Sequence, residues 1–203
     1  MLSVVVLGLL LGMRHATDAD HVVAVATIVS RQRDLRLAAW VGALWGLGHT
    51  VTIVLVGAPI VLFNWVVAPR VALAMEFAVG VMLVLLGLRN LGTTSAGDVA
   101  HGHPHVRPIA VGIVHGLAGS AAVALLVLTT IRDPSWAIAY LLVFGLGTVI
   151  GMVLVTTAIA LPFAVAGNGS PRTHSYLRMT TGLLSFGFGL FIAYRIGIVD
   201  GLF

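Results

Sequence analysis

Two imidazoles and two carboxylates crowd seven residues of an otherwise apolar stretch, His15-Ala16-Thr17-Asp18-Ala19-Asp20-His21. A charged side chain deep in a bilayer costs several kcal/mol, about 2.5 to 3.5 on insertion scales, so the cluster needs a compensating partner. A divalent cation supplies one. Imidazole nitrogen and carboxylate oxygen suit nickel, cobalt, zinc or iron and are a poor donor set for copper(I). The chain contains no cysteine, so thiolate ligation, disulfides and thiol redox chemistry are excluded.

At about 100° per residue, a regular helix holds His15, Asp18 and His21 within an arc of about 120° and points Asp20 elsewhere. His15 and His21 then stand about 9 Å apart along the axis, too far to share an ion at metal–nitrogen distances near 2 Å. An unwound or kinked segment is therefore expected between them, tolerated at membrane depth only inside protein or beside a polar cavity. The competing reading pairs Arg14 with Asp18 or Asp20 and leaves the histidines as interhelical hydrogen-bond donors.

Further histidines extend the pattern. His49 in Gly48-His49-Thr50 and His115 in Val114-His115-Gly116 each have a glycine neighbour and are candidate ligands beside the first cluster. Alone, either is equally well an interhelical donor. His101, His103 and His105 alternate in a loop between Gly97 and Pro108, where they can gather a divalent ion weakly as an antechamber or sensor; the bland alternative is a solvated linker. His174 reads as solvated, and Ser120 as a packing serine. Glu76 is either solvated at the interface, paired with a cation such as Arg178, or part of an ion pathway.

The elements that must position these groups are membrane helices. The chain has 203 residues, 59% hydrophobic and 9% charged, with a mean hydropathy of +1.09, far from a soluble composition. Six apolar stretches near 2–29, 37–63, 71–91, 108–131, 135–163 and 176–199 are each long enough to cross a hydrocarbon core, giving an all-α polytopic membrane protein. The first does not read as a cleaved leader, because no basic residue precedes it. The formal net charge of +4 comes from arginine without any lysine. It reads as orientation in the bilayer rather than as a nucleic-acid surface. Arg31, Arg33, Arg36, Arg89, Arg107, Arg172 and Arg178 flank the connections after odd-numbered stretches, against Arg70, Arg132 and Arg195 on the other side. Both termini are thus expected outside a bacterial or archaeal plasma membrane. Without lysine there is no phosphate-binding loop of the ATPase type.

The second half repeats the first. Gly12 falls on Gly112, His15 on His115 and Ala24 on Ala124, while Gly46-Leu47-Gly48-His49 meets Gly145-Leu146-Gly147-Thr148. Gly80 and Gly87 align with Gly182 and Gly189. One transmembrane domain is expected, with residues 1–92 as repeat one, 93–107 as a histidine-rich cytoplasmic loop and 108–203 as repeat two. Three crossings per unit make the repeats inverted, an arrangement that puts transporter sites at the repeat interface on broken helices.

Arg14-His15-Ala16-Thr17-Asp18-Ala19-Asp20-His21 resembles the signature of the nickel/cobalt transporter family, and Leu47-Gly48-His49-Thr50 its second histidine motif. Gly42-Ala43-Leu44-Trp45-Gly46, the histidine-rich loop and His115-Gly116-Leu117-Ala118-Gly119-Ser120-Ala121-Ala122 resemble its compact branch of urease accessory membrane proteins. The resemblance implies transport of Ni2+ or Co2+, with His15, Asp20, His21 and His49 at motif positions. Two departures stand out: six helices instead of the eight of the larger permeases, and an apolar Val22-Val23-Ala24-Val25-Ala26 where those carry a polar stretch.

The function expected is transport of a divalent metal, nickel foremost, by a secondary carrier working in uptake, with no prosthetic group. His15, Asp18, Asp20, His21, His49 and His115 form the metal site. Efflux, an intramembrane metal-dependent hydrolase, and a membrane partner that hands nickel to maturation proteins are the rival readings. Oligomeric state is not legible in the sequence.

Overall fold

The first apolar stretch does not run as one helix. In the computed structural model, which describes residues 2–30, 32, 34–63, 67–92, 106–117, 131, 133–167 and 171–203, α1 (Leu2–His15) stops and α2 (Ala19–Val29) begins after a three-residue turn. The Thr17 and Asp18 amides donate to the carbonyls of Arg14 and His15, at 2.9 and 3.1 Å, which tightens the end of α1. Thr17 Oγ1 adds a 2.6 Å bond to the Arg14 carbonyl. Asp18 then turns extended, at φ −61° and ψ 147°, and its carbonyl accepts from the Val22 amide to start α2. Its carboxylate makes no capping bond. The break expected between His15 and His21 is therefore a tight turn followed by an uncapped restart.

Five more helices follow among the described residues: α3 (Leu35–Phe63), α4 (Pro69–Gly92), α5 (Val106–Leu117), α6 (Pro134–Gly167) and α7 (Pro171–Tyr194), the last running into a π-helical turn at Arg195–Val199. The starts of α3 and α6 are built alike. Asp34 and Asp133 accept with their carboxylates from Arg36 and Ser135 amides, both at 2.8 Å, which satisfies donors that every helix N-terminus leaves open. Among the described residues, four stretches are long and apolar enough to cross a membrane: Leu35–Ile60, Pro69–Gly92, Pro134–Val165 and His174–Val199. The first expected span is divided between α1 and α2, and the fourth is described only as far as Leu117.

Burial runs opposite to that of a soluble protein. Leu55, Phe63, Leu154, Leu184 and Phe191 face outward, while His21, His115, Thr148, Thr156 and Ser185 are fully buried. Such a make-up belongs to an integral membrane protein, whose apolar exterior meets lipid and whose polar groups turn inward. Small core residues such as Ala16, Ala24 and Ala38 pack with Trp45, Leu83 and Phe163.

α3 packs on α6 and α5, α1 on α6, and α4 on α7. Some of the close contacts answer one another under the sequence register. A Cβ built on Gly12 would collide with the Phe144 carbonyl oxygen and stand 2.8 Å from the Thr148 amide nitrogen; one on Gly112 would collide with the Trp45 carbonyl and stand 3.0 Å from the His49 nitrogen. Under the sequence register, Phe144 and Thr148 are the counterparts of Trp45 and His49. Likewise Gly80 lies against Gly189, and Gly87 against Gly182. Without a hydrophobic drive between helices in lipid, such close backbone approach is a main source of packing energy.

Candidate metal centre

The turn between α1 and α2 lets both ends of the first motif face one point. His15 closes α1, His21 lies in the first turn of α2, His49 comes from mid α3 and His115 from the end of α5. Their exposures are 5, 0, 1 and 0%. Ring centroids stand 4.7 Å apart for His15 and His21, 5.0 Å for His15 and His49, and 4.2 Å for His21 and His115.

Two carboxylates set the direction of three of these rings. Asp18 Oδ2 accepts from His15 Nδ1 at 2.9 Å. Asp20 Oδ1 accepts from His21 Nδ1 at 3.1 Å and from the His21 amide at 3.0 Å, and Asp20 Oδ2 accepts from His115 Nε2 at 2.9 Å. A neutral imidazole has one donor and one acceptor nitrogen, so these bonds assign the tautomers. With its Nδ1 proton on Asp18, His15 presents the Nε2 lone pair, to which His49 Nε2 donates at 2.9 Å. The lone pairs of His21 Nε2, His49 Nδ1 and His115 Nδ1 remain. All three are buried and have no hydrogen-bond partner among the described residues.

Unsatisfied polar atoms in an apolar interior are expensive, and three in one cluster ask for an occupant that takes lone pairs. A carboxylate holding the far nitrogen of each ring is the usual outer support of a histidine that binds metal. Two overlapping ligand sets result, His15/His21/His49 and Asp20/His21/His115, each with potential ligand atoms within 4.8 Å of one another. Nitrogens on opposite sides of one ion, at about 2.1 Å each, stand about 4.2 Å apart, so small rotations close either set. His21 belongs to both. For His15 and His49 to bind one ion through Nε2, the proton between them must move to His49 Nδ1.

Aromatic rings wall the cluster. Trp45 stacks on His21, with centroids 5.8 Å apart and planes 16° apart, and meets His115 edge-on at 5.6 Å, while Phe144 stands 5.6 Å from His15. Under the sequence register His15 pairs with His115, and Trp45 with Phe144. Neither ring was singled out by sequence reasoning. The register that pairs Gly46 with Gly145 carried the signal.

The helix break corrects one geometric expectation. Asp20, which a regular helix points away, turns inward onto His21 and His115; Asp18, expected on the ligand face, is 39% exposed and reaches only His15. The extended backbone at Asp18 rotates everything after it. Arg14 is exposed and bonds neither carboxylate, which removes the ion-pair alternative. Glu76 lines a cavity with Arg195 and Asp200 rather than meeting Arg178, whose carbonyl accepts from Asn90. His101, His103, His105 and Ser120 lie outside the described residues, and His174 lies in α7.

An all-helical, membrane-type bundle with a buried histidine–carboxylate cluster is the class of protein defined by these features. No protein-family model matches the chain, and no solved structure matches it significantly. A relative does match along its whole length: the urease accessory protein UreH of Bacillus sp. (strain TB-90), 36% identical over 219 positions that take in all of this chain and 96% of the relative. The chain belongs to the urease accessory protein UreH family. That relative is an accessory protein rather than an enzyme, in keeping with the non-enzyme expectation.

Proposed function

We propose that the chain is a secondary carrier that passes a divalent transition-metal ion, nickel foremost, through the membrane and so supplies urease maturation. The observation that carries this reading is the convergence of His15, His21, His49 and His115 in two overlapping ligand sets that share His21, with Asp18 holding His15, Asp20 holding His21 and His115, and three buried ring nitrogens left without partners among the described residues. Nitrogen-rich ligation with carboxylate support fits Ni2+ and Co2+ alike. Urease is a nickel enzyme, and the name of the full-length relative therefore favours nickel.

In this reading the chain crosses the membrane six times as two inverted halves of three, with the α1/α2 pair as the first crossing and α5 opening the fourth. The reciprocal glycine contacts and the paired Asp34 and Asp133 caps support the inverted repeat. A ligand cluster at a broken helix where the halves meet is the common plan of secondary transporters. A membrane potential negative inside favours a dication moving inward by about 4.6 kcal/mol per 100 mV, so uptake needs no nucleotide.

Nickel influx into proteoliposomes under an imposed potential tests this. Wild-type protein is expected to accumulate nickel and His21→Ala to reduce the rate to the protein-free leak. Equal fluxes for the two proteins at equal reconstitution overturn the ligand assignment, and accumulation only against the opposite potential turns the direction to efflux.

A further inference from the structure

Behind Asp20 lies a cavity of about 330 Å³. α2 contributes Asp20 to its wall, α4 contributes Glu76, α7 contributes Phe188 and Phe191, and the C-terminal turn contributes Arg195 and Asp200. None of Glu76, Arg195 and Asp200 belongs to the ligand cluster. Asp20 belongs to both places: it borders the cavity, and its two oxygens accept from the buried rings of His21 and His115. On the two rings that Asp20 holds, His21 Nε2 and His115 Nδ1 lack partners among the described residues.

Resting on the carrier reading above, we infer that this cavity is the vestibule through which a hydrated divalent cation reaches the Asp20/His21/His115 side of the metal centre. The cavity has room for several waters, enough for a cation that arrives with hydration waters still attached. Three carboxylates against one guanidinium leave two formal negative charges, the charge that one dication neutralises. The Arg195 Nε to Asp200 Oδ2 contact is long, at 3.8 Å, and Arg195 is 64% exposed. An exposed pair of that kind is weak, so an arriving cation can take the place of the guanidinium. A low-dielectric wall of Phe188 and Phe191 focuses the carboxylate field inward and raises the local cation concentration. With the orientation inferred from the arginines, the start of α4 and the C-terminus face outside, which makes the vestibule the outer mouth for uptake.

The natural chain has no cysteine, so a single thiol can be placed in the cavity wall by Ile192→Cys. Full-length protein in nickel-free nanodiscs is treated with a cationic methanethiosulfonate reagent, with and without Ni2+. The thiol is expected to react, nickel to slow the reaction, and Glu76→Gln with Asp200→Asn to lower the nickel on-rate about tenfold while the equilibrium occupancy of the histidines stays within about twofold at saturation. Reaction indifferent to nickel, together with a wild-type on-rate in the double variant, overturns the vestibule. Failure of the carrier reading looks different: wild-type liposomes show no flux, yet nickel still protects the thiol and supports the vestibule as an access route to a binding site.

Discussion

Asp20 Oδ2 accepts a hydrogen bond from His115 Nε2 at 2.9 Å, although 95 residues separate them and they stand on helices from opposite halves of the chain. The same carboxylate holds His21 through its other oxygen. One side chain thus fixes two imidazoles from two helices, and ties the α1/α2 break to the end of α5.

Asp20→Asn separates charge from shape. An amide keeps the volume, and its oxygen can still accept from His21, but its NH2 group cannot accept the His115 Nε2 proton. His115 then loses its tautomer and direction. Loss of such outer support commonly weakens metal binding 10–100-fold, and nickel affinity of the purified Asp20→Asn protein is expected to fall by about that factor. Titration of nickel into nanodisc-embedded protein reads it directly. An unchanged affinity shows that Asp20 does not orient the rings.

Gly12 and Gly112 occupy equivalent places against Phe144 and Trp45, so substituting either should cost the same. Gly12→Ala and Gly112→Ala each drive a methyl group into a backbone carbonyl of the facing helix. Backbone yields less readily than a side chain, and overpacking of this kind costs about 1–3 kcal/mol. Both variants are expected to lower the thermal midpoint in detergent by similar amounts. Gly187, which meets nothing within 4 Å on α7, is the control. Gly187→Ala should be neutral or slightly stabilising, because alanine is the better helix former by about 1 kcal/mol. A large loss at Gly12 with none at Gly112 contradicts the reciprocal packing.

Sequence alone carried the all-helical class, the membrane character and the idea that the first motif sits on a broken helix, because hydropathy and ligand spacing are properties of the chain itself. The roles within the motif were less legible. Helical periodicity assigned Asp18 to the ligand face and sent Asp20 away, since a periodicity argument presumes the regular backbone that the Asp18 turn interrupts. The alignment of His15 with His115 led to both being expected at one site, and each ring stands against His21, whereas the places of Trp45 and Phe144 beside the cluster were not legible because an aromatic residue in an apolar helix carries no signal until its neighbour is known. Asn90 went unremarked for a related reason: one polar residue in a long apolar helix does not announce its partners.

Those partners make Asn90 a structural anchor between α2, α4 and α7. Its Nδ2, with two protons to donate, lies 3.1 Å from Ser30 Oγ, 3.0 Å from the Arg178 carbonyl and 3.2 Å from Thr181 Oγ1, and Thr27 Oγ1 donates to the Thr181 carbonyl at 3.2 Å beside them. Interhelical hydrogen bonds inside membranes average only about 0.6 kcal/mol, with a maximum near 1.7. Asn90→Leu removes both bonds the amide can donate and leaves Ser30 and Thr181 facing an apolar group. A fall of about 1–3 kcal/mol in unfolding free energy is expected, measured by steric trapping or denaturant titration in bicelles. Nickel affinity should stay near the wild-type value in the folded fraction, since the network lies apart from the histidine cluster. A large affinity loss at full stability would tie this network to the metal centre instead.

His21 is the shared member of both ligand sets, and that position sets an order among the histidine variants. Removing His115 leaves His15/His21/His49, and removing His49 leaves Asp20/His21/His115, each still a set of three. Removing His21 leaves neither. Nickel affinity is therefore expected to drop by about 10–30-fold in His49→Ala and His115→Ala, close to 1.4–2 kcal/mol apiece, and by more than about 100-fold in His21→Ala. X-ray absorption on the nickel-loaded proteins gives the matching count: three imidazoles in His115→Ala and two with a carboxylate in His49→Ala, with no sulfur in any, because the chain has no cysteine. If His49→Ala alone abolishes binding while His115→Ala leaves it untouched, the ion uses only the His15/His21/His49 set and Asp20 with His115 serves access rather than ligation.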